Sequence, residues 1–316
     1  MSRGAAGWLA VALATAACGG VAGGDDVGDD VAPDADVTAP DGGAGPDAAG
    51  CATLEAAPAW LDAELRDTVA RLSGAADLTA GVRLVDRSAP ARRAAVRDWL
   101  EAELDGLGLD AQQLAYGTGS NVVARLPGTE PAAGWIVVGA HLDTVQGSPG
   151  ANDDGSGVAA VLATARLLRD TCRRTGVIVA FFDQEEIGIV GSTALAGALF
   201  QAGEHVVAVH TVDQVGWDSD GDRVFEIELP TDALYAAYQA AAAALGVGVR
   251  RTQTGGTDHV AFRERGYAAA GVTEEFVGGD TTPYYHMPGD TYDTVDFAYA
   301  AAAVRLVSRV VDDAAR

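Results

Sequence analysis

The chain is 316 residues long, 48% apolar and 21% charged, which is enough to bury a sizeable core in one large domain or two small ones. Its formal charge is −24, from 45 acidic residues against 21 basic ones, every one of them arginine. That balance excludes nucleic acid and an anionic membrane surface as docking partners, since both require clustered positive charge.

The first fifty residues read as address and tether. Residues 5–17, AAGWLAVALATAA, form an apolar run of thirteen, short of the roughly 20 that cross a bilayer. With Arg3 before it and small residues after it, the run reads as a secretory signal. It ends at Cys18-Gly19-Gly20, which resembles a bacterial lipoprotein processing site with Cys18 as the acylated residue. Thr15 departs from the Leu that pattern prefers, and ordinary signal cleavage near Ala17 is the alternative. Residues 19–50 hold eight Asp, no basic residue and almost no large apolar side chain. Such a segment cannot offset its ordering entropy, so a disordered linker is expected there. The expected organisation is a signal over 1–18, a linker over 19–50 and one folded domain over 51–316. The protein is then exported and membrane-anchored through a lipid, or otherwise periplasmic or extracellular. Export also permits a disulfide between Cys51 and Cys172, closing a loop of about 120 residues worth about 4–5 kcal/mol in the chain-entropy model. Two unpaired thiols are the alternative.

Beyond residue 51, strands and helices alternate. Helical apolar spacing covers 58–72 (Trp60, Leu61, Leu65, Val69, Leu72) and 90–106, the latter with Pro90 near its start and Gly106 near its end. An extended segment follows at 120–128, then a continuous apolar strand, WIVVGA, at 135–140. Helices are expected at 155–170, 191–202, 231–245, 257–265 and 294–314. Further strands are expected at 176–183, 205–213 and 267–273, with a polar hairpin around 218–222. Continuous apolar strands separated by helices imply an α/β fold: a mostly parallel central sheet covered by helices on both faces. Right-handed crossovers bring the strand C-termini to one edge, where such folds carry their sites.

Strong metal ligands fall at that edge. The strand at 135–140 runs into His141 and Asp143, and the next into Asp183, Glu185 and Glu186. The third ends at Asp213, the loop entering the helix at 155 holds Asp153 and Asp154, and the loop before the last helix holds His286 and Asp290. Like charges so concentrated repel unless cations sit among them. Imidazole and carboxylate without thiolate suit Zn, Mn or Co better than Ca. Two His with several carboxylates can serve two divalent ions about 3.5–4 Å apart.

The motif series GAHLDTV (139–145), GANDDGSG (150–157), DQEEIG (183–188), VDQVG (212–216) and YHMPGDT (285–291) resembles that of the dinuclear-zinc aminopeptidases. This is the secreted bacterial leucyl aminopeptidase type, whose relatives include glutamate carboxypeptidase and glutaminyl cyclase. A neighbouring two-zinc peptidase family places its bridging Asp about thirty residues past its HxD strand end and carries an inserted domain. Here Asp153 follows His141 by twelve residues and no such insert follows Glu186. The resemblance implies a zinc exopeptidase fold of the phosphorylase/hydrolase-like kind and two divalent metal ions, zinc by family habit. Asp153 would bridge them, with His141 and Asp213 completing one site and Glu186 and His286 the other. It also implies a cis peptide at Asp153–Asp154. Glu185 would act as general base on the attacking water and then protonate the leaving amine. Tyr285, or Tyr284 beside it, would stabilise the oxyanion. Asp143 would orient His141, and Asp290 would orient His286. Asp258 and His259 resemble a segment lining the substrate side, although Thr257 also suits a helix N-cap. His205 and His210 read as ordinary core or surface histidines, and DSDGD at 218–222 as a polar turn with only partial calcium-loop spacing.

The expected function is therefore a metallo-aminopeptidase that acts on peptide substrates as a monomer, with no nucleic-acid partner. The alternative is carboxypeptidase or N-acyl amidohydrolase chemistry on the same fold.

Overall fold

The computed structural model describes residues 52–55 and 58–316. The expected signal, the acylation site at Cys18, the linker and Cys51 lie outside those residues. Cys172 is disulfide-bonded, and beside it Ala52 and Thr171 form an isolated parallel bridge.

Two helices come first, α1 (Leu61–Leu72) and α2 (Pro90–Gly106). Eight strands follow: β1 (Gln112–Tyr116), β2 (Gly119–Leu126), β3 (Trp135–His141), β4 (Gly176–Phe182), β5 (Val206–Val212), β6 (Val224–Glu228), β7 (Gly248–Thr252) and β8 (Ala269–Thr273). They form one sheet in the order β1-β2-β4-β3-β5-β8-β6-β7. The central β4-β3-β5-β8 block is parallel throughout, while β2 and β6 flank it antiparallel. The interleaved helices are α3 (Gly155–Leu168), α4 (Val190–Gln201), α5 (Asp232–Leu245), α6 (His259–Arg263) and α7 (Phe297–Ala315).

Side chains alternate across the sheet and feed two apolar layers. In β4, Val177, Val179 and Phe181 join the larger core under α1, α2, α3, α5 and α7. Ile178, Ala180 and Phe182 join the smaller one under α4 and α6. Continuous apolar strands thus have helices on both faces, as the sequence implies. The pattern did not foretell β1, β6 and β7. β1 (QQLAY) and β7 (GVRRT) are short edge strands with polar faces, and β6 (VFEIE) carries acids at alternate positions, so none shows an apolar run. The 218–222 segment is a turn whose Asp218, Asp220 and Asp222 accept backbone N–H groups of Gly221, Asp222 and Val224.

Asp183 departs from the expected clustering with the site. It is fully buried and ion-paired to α2, 2.6 Å from Arg93 Nε and 2.6 Å from Arg97 Nη1. It therefore clamps α2 to the end of β4. His210, on β5, is also fully buried, with Nδ1 2.8 Å from the Tyr238 hydroxyl.

Two stability predictions follow from these groups. Asp183→Ala strands two mostly buried arginines and should cost about 3–5 kcal/mol in urea denaturation. Burial holds the His210 imidazole down to about 4, so from the ordinary value near 6.5 down to that pH the unfolded chain binds a proton that the folded chain refuses. His210 therefore contributes stability that is complete above pH 6.5 and lost as pH falls toward 4. Across that window His210→Gln should lose about 1–3 kcal/mol less than the parent chain.

Candidate metal centre

β3, β4 and β5 end side by side, and their last residues meet the loop ahead of α3 and the loop at 285–290. His141 is the final residue of β3 and is buried. Its Nε2 lies 3.3 Å from Asp153 Oδ1 and 3.5 Å from Asp213 Oδ1. The other oxygen of Asp153, Oδ2, lies 3.3 Å from His286 Nε2, which is 2.9 Å from Glu186 Oε2. Two ligand groups result, His141/Asp153/Asp213 and Asp153/Glu186/His286, each with its donor atoms within 4.8 Å of one another. Asp153 belongs to both and gives one oxygen to each. Asp218, Asp220 and Asp222 form a third carboxylate group, at the surface turn, without an imidazole.

The donor set fits two divalent ions. Asp153 Oδ2 and Asp213 Oδ1 are buried without a hydrogen-bond partner, a costly state for carboxylate oxygens unless a cation meets them. Each group offers one imidazole nitrogen and two carboxylates, a set suited to Zn, Mn or Co. The protein's own charges point the same way. Burial pushes Glu185 and Glu186 well above the usual carboxylate range, and neighbouring carboxylates add to it. Burial pulls on His141 in the opposite sense, but the Asp213 charge and the bonds to Asp143, Asp153 and Asp213 override it and hold the imidazole well up. Dications among these groups would invert that field.

Local backbone explains how neighbouring acids converge. Consecutive strand residues face opposite ways, but β4 ends at Phe182 and Gln184 takes a left-handed φ of 67°. Glu185 and Glu186 then turn to the same cleft. Gln214 (φ 50°) and His286 (φ 57°) make similar left-handed turns at the other ligand loops, the sparsely populated geometry that gathers at functional sites.

Buried carboxylates hold the loops. Asp143 Oδ1 accepts the Glu185 N–H (3.0 Å) and Oδ2 the Glu186 N–H (3.3 Å). Oδ1 also stands 3.6 Å from His141 Nδ1, where the expected orienting contact lies. Asp154, joined to Asp153 by a cis peptide, accepts N–H groups from His141 (3.2 Å), Gly157 (2.8 Å) and Gln214 (3.2 Å). It thereby ties β3, α3 and the end of β5 together. Asp290 differs from expectation. Its two oxygens take the N–H groups of Asn152 (2.8 Å) and Asp153 (3.0 Å), so it orients the shared Asp153 rather than His286. His286 is instead stacked on the Tyr285 ring, centroids 3.8 Å apart. Tyr285 lines the cleft, whereas Tyr284 packs edge-on against Trp217.

The cleft, about 90 Å³, is lined by both ligand groups together with Glu185, Tyr285, Gln214, Glu228, Thr257 and Phe276. Among the described residues, no arginine lines it. Arg250 pairs with Glu275 (2.7 Å), Arg251 with Asp232 (2.8 Å), and Arg263 with the carbonyls of Leu229 and Ala269. Asp258 and His259 are buried at the start of α6, whose N-cap position is Asp258 and carries no side-chain cap; Thr257 Oγ accepts only the adjacent Asp258 N–H and faces the cleft. A larger groove of about 570 Å³ between α1, α2 and α3 contains no such ligand group among the described residues.

Sequence reasoning missed three contributors. Arg87 is fully buried beneath the acids and donates to the carbonyls of Leu72, Leu142 and Pro149; a lone loop arginine carries no signal. Gln214 and Glu228 were also missed, though the FEIE alternation in β6 hinted at acids on an inward face.

A family model described as Peptidase family M28 matches residues 121–311, more than half of the chain. Among curated proteins, the aminopeptidase YwaD of Bacillus subtilis is 30% identical over 191 residues, 57% of this chain and 41% of YwaD. The chain thus spans less than half the length of that relative. Among solved structures, the LapA aminopeptidase of Legionella pneumophila superposes with a TM-score of 0.72 at 22% identity, covering 81% of this chain and 70% of that one, a likeness of fold. BSAP, a zinc aminopeptidase from Bacillus subtilis, has a TM-score of 0.58 at 25% identity over 64% of this chain and 52% of its own.

Asp290→Ala frees the amides that set Asp153 without removing a ligand atom. It should weaken zinc binding about 10–100-fold in chelator-competition titrations.

Proposed function

This chain belongs to peptidase family M28, and from that premise we propose that it is a zinc-dependent exopeptidase, an aminopeptidase releasing N-terminal residues from peptides. One observation carries the reading: Asp153 divides its two oxygens between two His–carboxylate groups while Glu185 faces the same cleft. Held by His141, Asp153, Asp213, Glu186 and His286, two zinc ions would lower the pKa of a water and polarise the scissile carbonyl.

The chain's own residues do the rest. Glu185 takes a proton from the attacking water as the C–O bond forms, then delivers it to the amine nitrogen as the C–N bond breaks. Asp143 anchors the Glu185 backbone and thereby aims its carboxylate. Burial raises the pKa of the Tyr285 hydroxyl from a value already near 10, so it keeps its proton at neutral pH. It can therefore donate to the oxygen that gains charge. The cleft's acids favour a cationic α-amine. The arginines that a carboxypeptidase would use to hold a substrate carboxylate are engaged elsewhere. That contrast supports amino- over carboxypeptidase chemistry.

We assign the catalytic domain to 51–316 and read it as a monomer. The apolar run and Cys18 support an exported, lipid-anchored protein; no helix among the described residues is long and apolar enough to cross a membrane.

Purified protein should release nitroaniline from aminoacyl-nitroanilides, lose that activity to a chelator and regain it with zinc. N-acetylated and C-terminal substrates should not be cleaved. Glu185→Gln should lower kcat by about 10²–10⁴-fold with metal content retained. Zinc-independent release, or preference for blocked substrates, would overturn the assignment.

A further inference from the structure

Beyond the metal ligands, the cleft has a wall that hydrolysis does not use. β6 sends Glu226 and Glu228 to the same face of the sheet. Glu226 is satisfied, its carboxylate accepting the N–H groups of Val277 (2.9 Å) and Gly278 (2.6 Å). Glu228 is not. It is 3% exposed, lines the cleft, and has its Oε2 buried without a hydrogen-bond partner.

The space around that carboxylate is built. Its cross-strand partner on β8 is Gly271, where a Cβ would stand 2.8 Å from Glu228 Oε2. The nearest imidazole is His259, with Nδ1 at 3.7 Å. Burial, with Arg263 adding, lowers that ring to about 4, so it stays neutral and supplies no charge. Burial above all, with the Asp213 and Glu226 charges adding, pushes the Glu228 carboxyl up to about 8. Gln214 lines the same cleft with its Oε1 also buried and unpartnered. Phe276 adds apolar surface there. Two desolvated polar groups without partners are costly, and a charged donor reaching them would satisfy both and favour the ionised form of Glu228.

We infer that Glu228 and Gln214 receive the cationic side chain of the substrate's first residue, which makes the enzyme selective for N-terminal Lys or Arg. The inference rests on the aminopeptidase reading. Phe276 covers the methylene stem while the ammonium or guanidinium group donates to the two acceptors. An apolar side chain of equal length leaves both unpaired and is rejected.

The test compares kcat/KM of the zinc-loaded full chain on lysyl-, arginyl-, leucyl- and norleucyl-nitroanilides. Lys should exceed norleucine by about tenfold or more, and Glu228→Gln should reduce that ratio by about tenfold. Equal or better cleavage of norleucine overturns the assignment and leaves the aminopeptidase reading intact. So does a parallel loss on lysine and norleucine substrates in Glu228→Gln, which would mean that Glu228 serves the α-amine or packing. Cleavage of none of the four sinks the aminopeptidase reading and this assignment with it. If Glu228→Gln fails to fold, the parent chain decides: calorimetry should show lysine binding about tenfold more tightly than norleucine, and equal binding overturns the assignment.

Discussion

Electrostatic repulsion at one sheet edge is the constraint on which this protein turns. Asp153, Glu186 and Asp213 converge within a few ångströms of two imidazoles, Glu185 lines the same cleft, and burial removes water that would screen them. In a low-dielectric site such an arrangement persists only with cations among the acids. Asp153 makes the demand sharpest, because its two oxygens face two different groups and neither group is complete without it.

The surrounding fold spends much of its polar bonding on holding that arrangement. Asp143, Asp154 and Asp290 contact the site mainly through backbone amides, and each fastens one chain segment to another. Asn152 joins them, its side chain donating to Glu274 and accepting from Gly216. These groups act as carboxylate and carboxamide clamps on loops that the sheet alone would leave free. A parallel sheet suits the task, since its central strands deliver their C-termini to one place.

The sequence and the structure differ where long-range packing decides. The central strands, their helices and the five motif segments were legible, because continuous apolar runs, Gly-rich turns and ordered ligand pairs are local signals. The edge strands β1 and β7 were not, since their side chains are mostly only half-buried and show no apolar run. Asp183 looked like a site carboxylate by position, yet Arg93 and Arg97, some 90 residues earlier, claim it. Asp290 looked like a partner for the nearby His286, yet it reaches back to Asn152 and Asp153.

The acidic excess divides accordingly. The sequence alone located eight charges in residues 19–50 and identified the ligand-bearing segments, because composition and spacing are properties of the chain. Tertiary structure decided which acids face one another, which are neutralised by arginine, and which, like Glu228, lie buried with no cation of their own. Those outcomes depend on distance through space and on desolvation, and neither is written in local order along the chain.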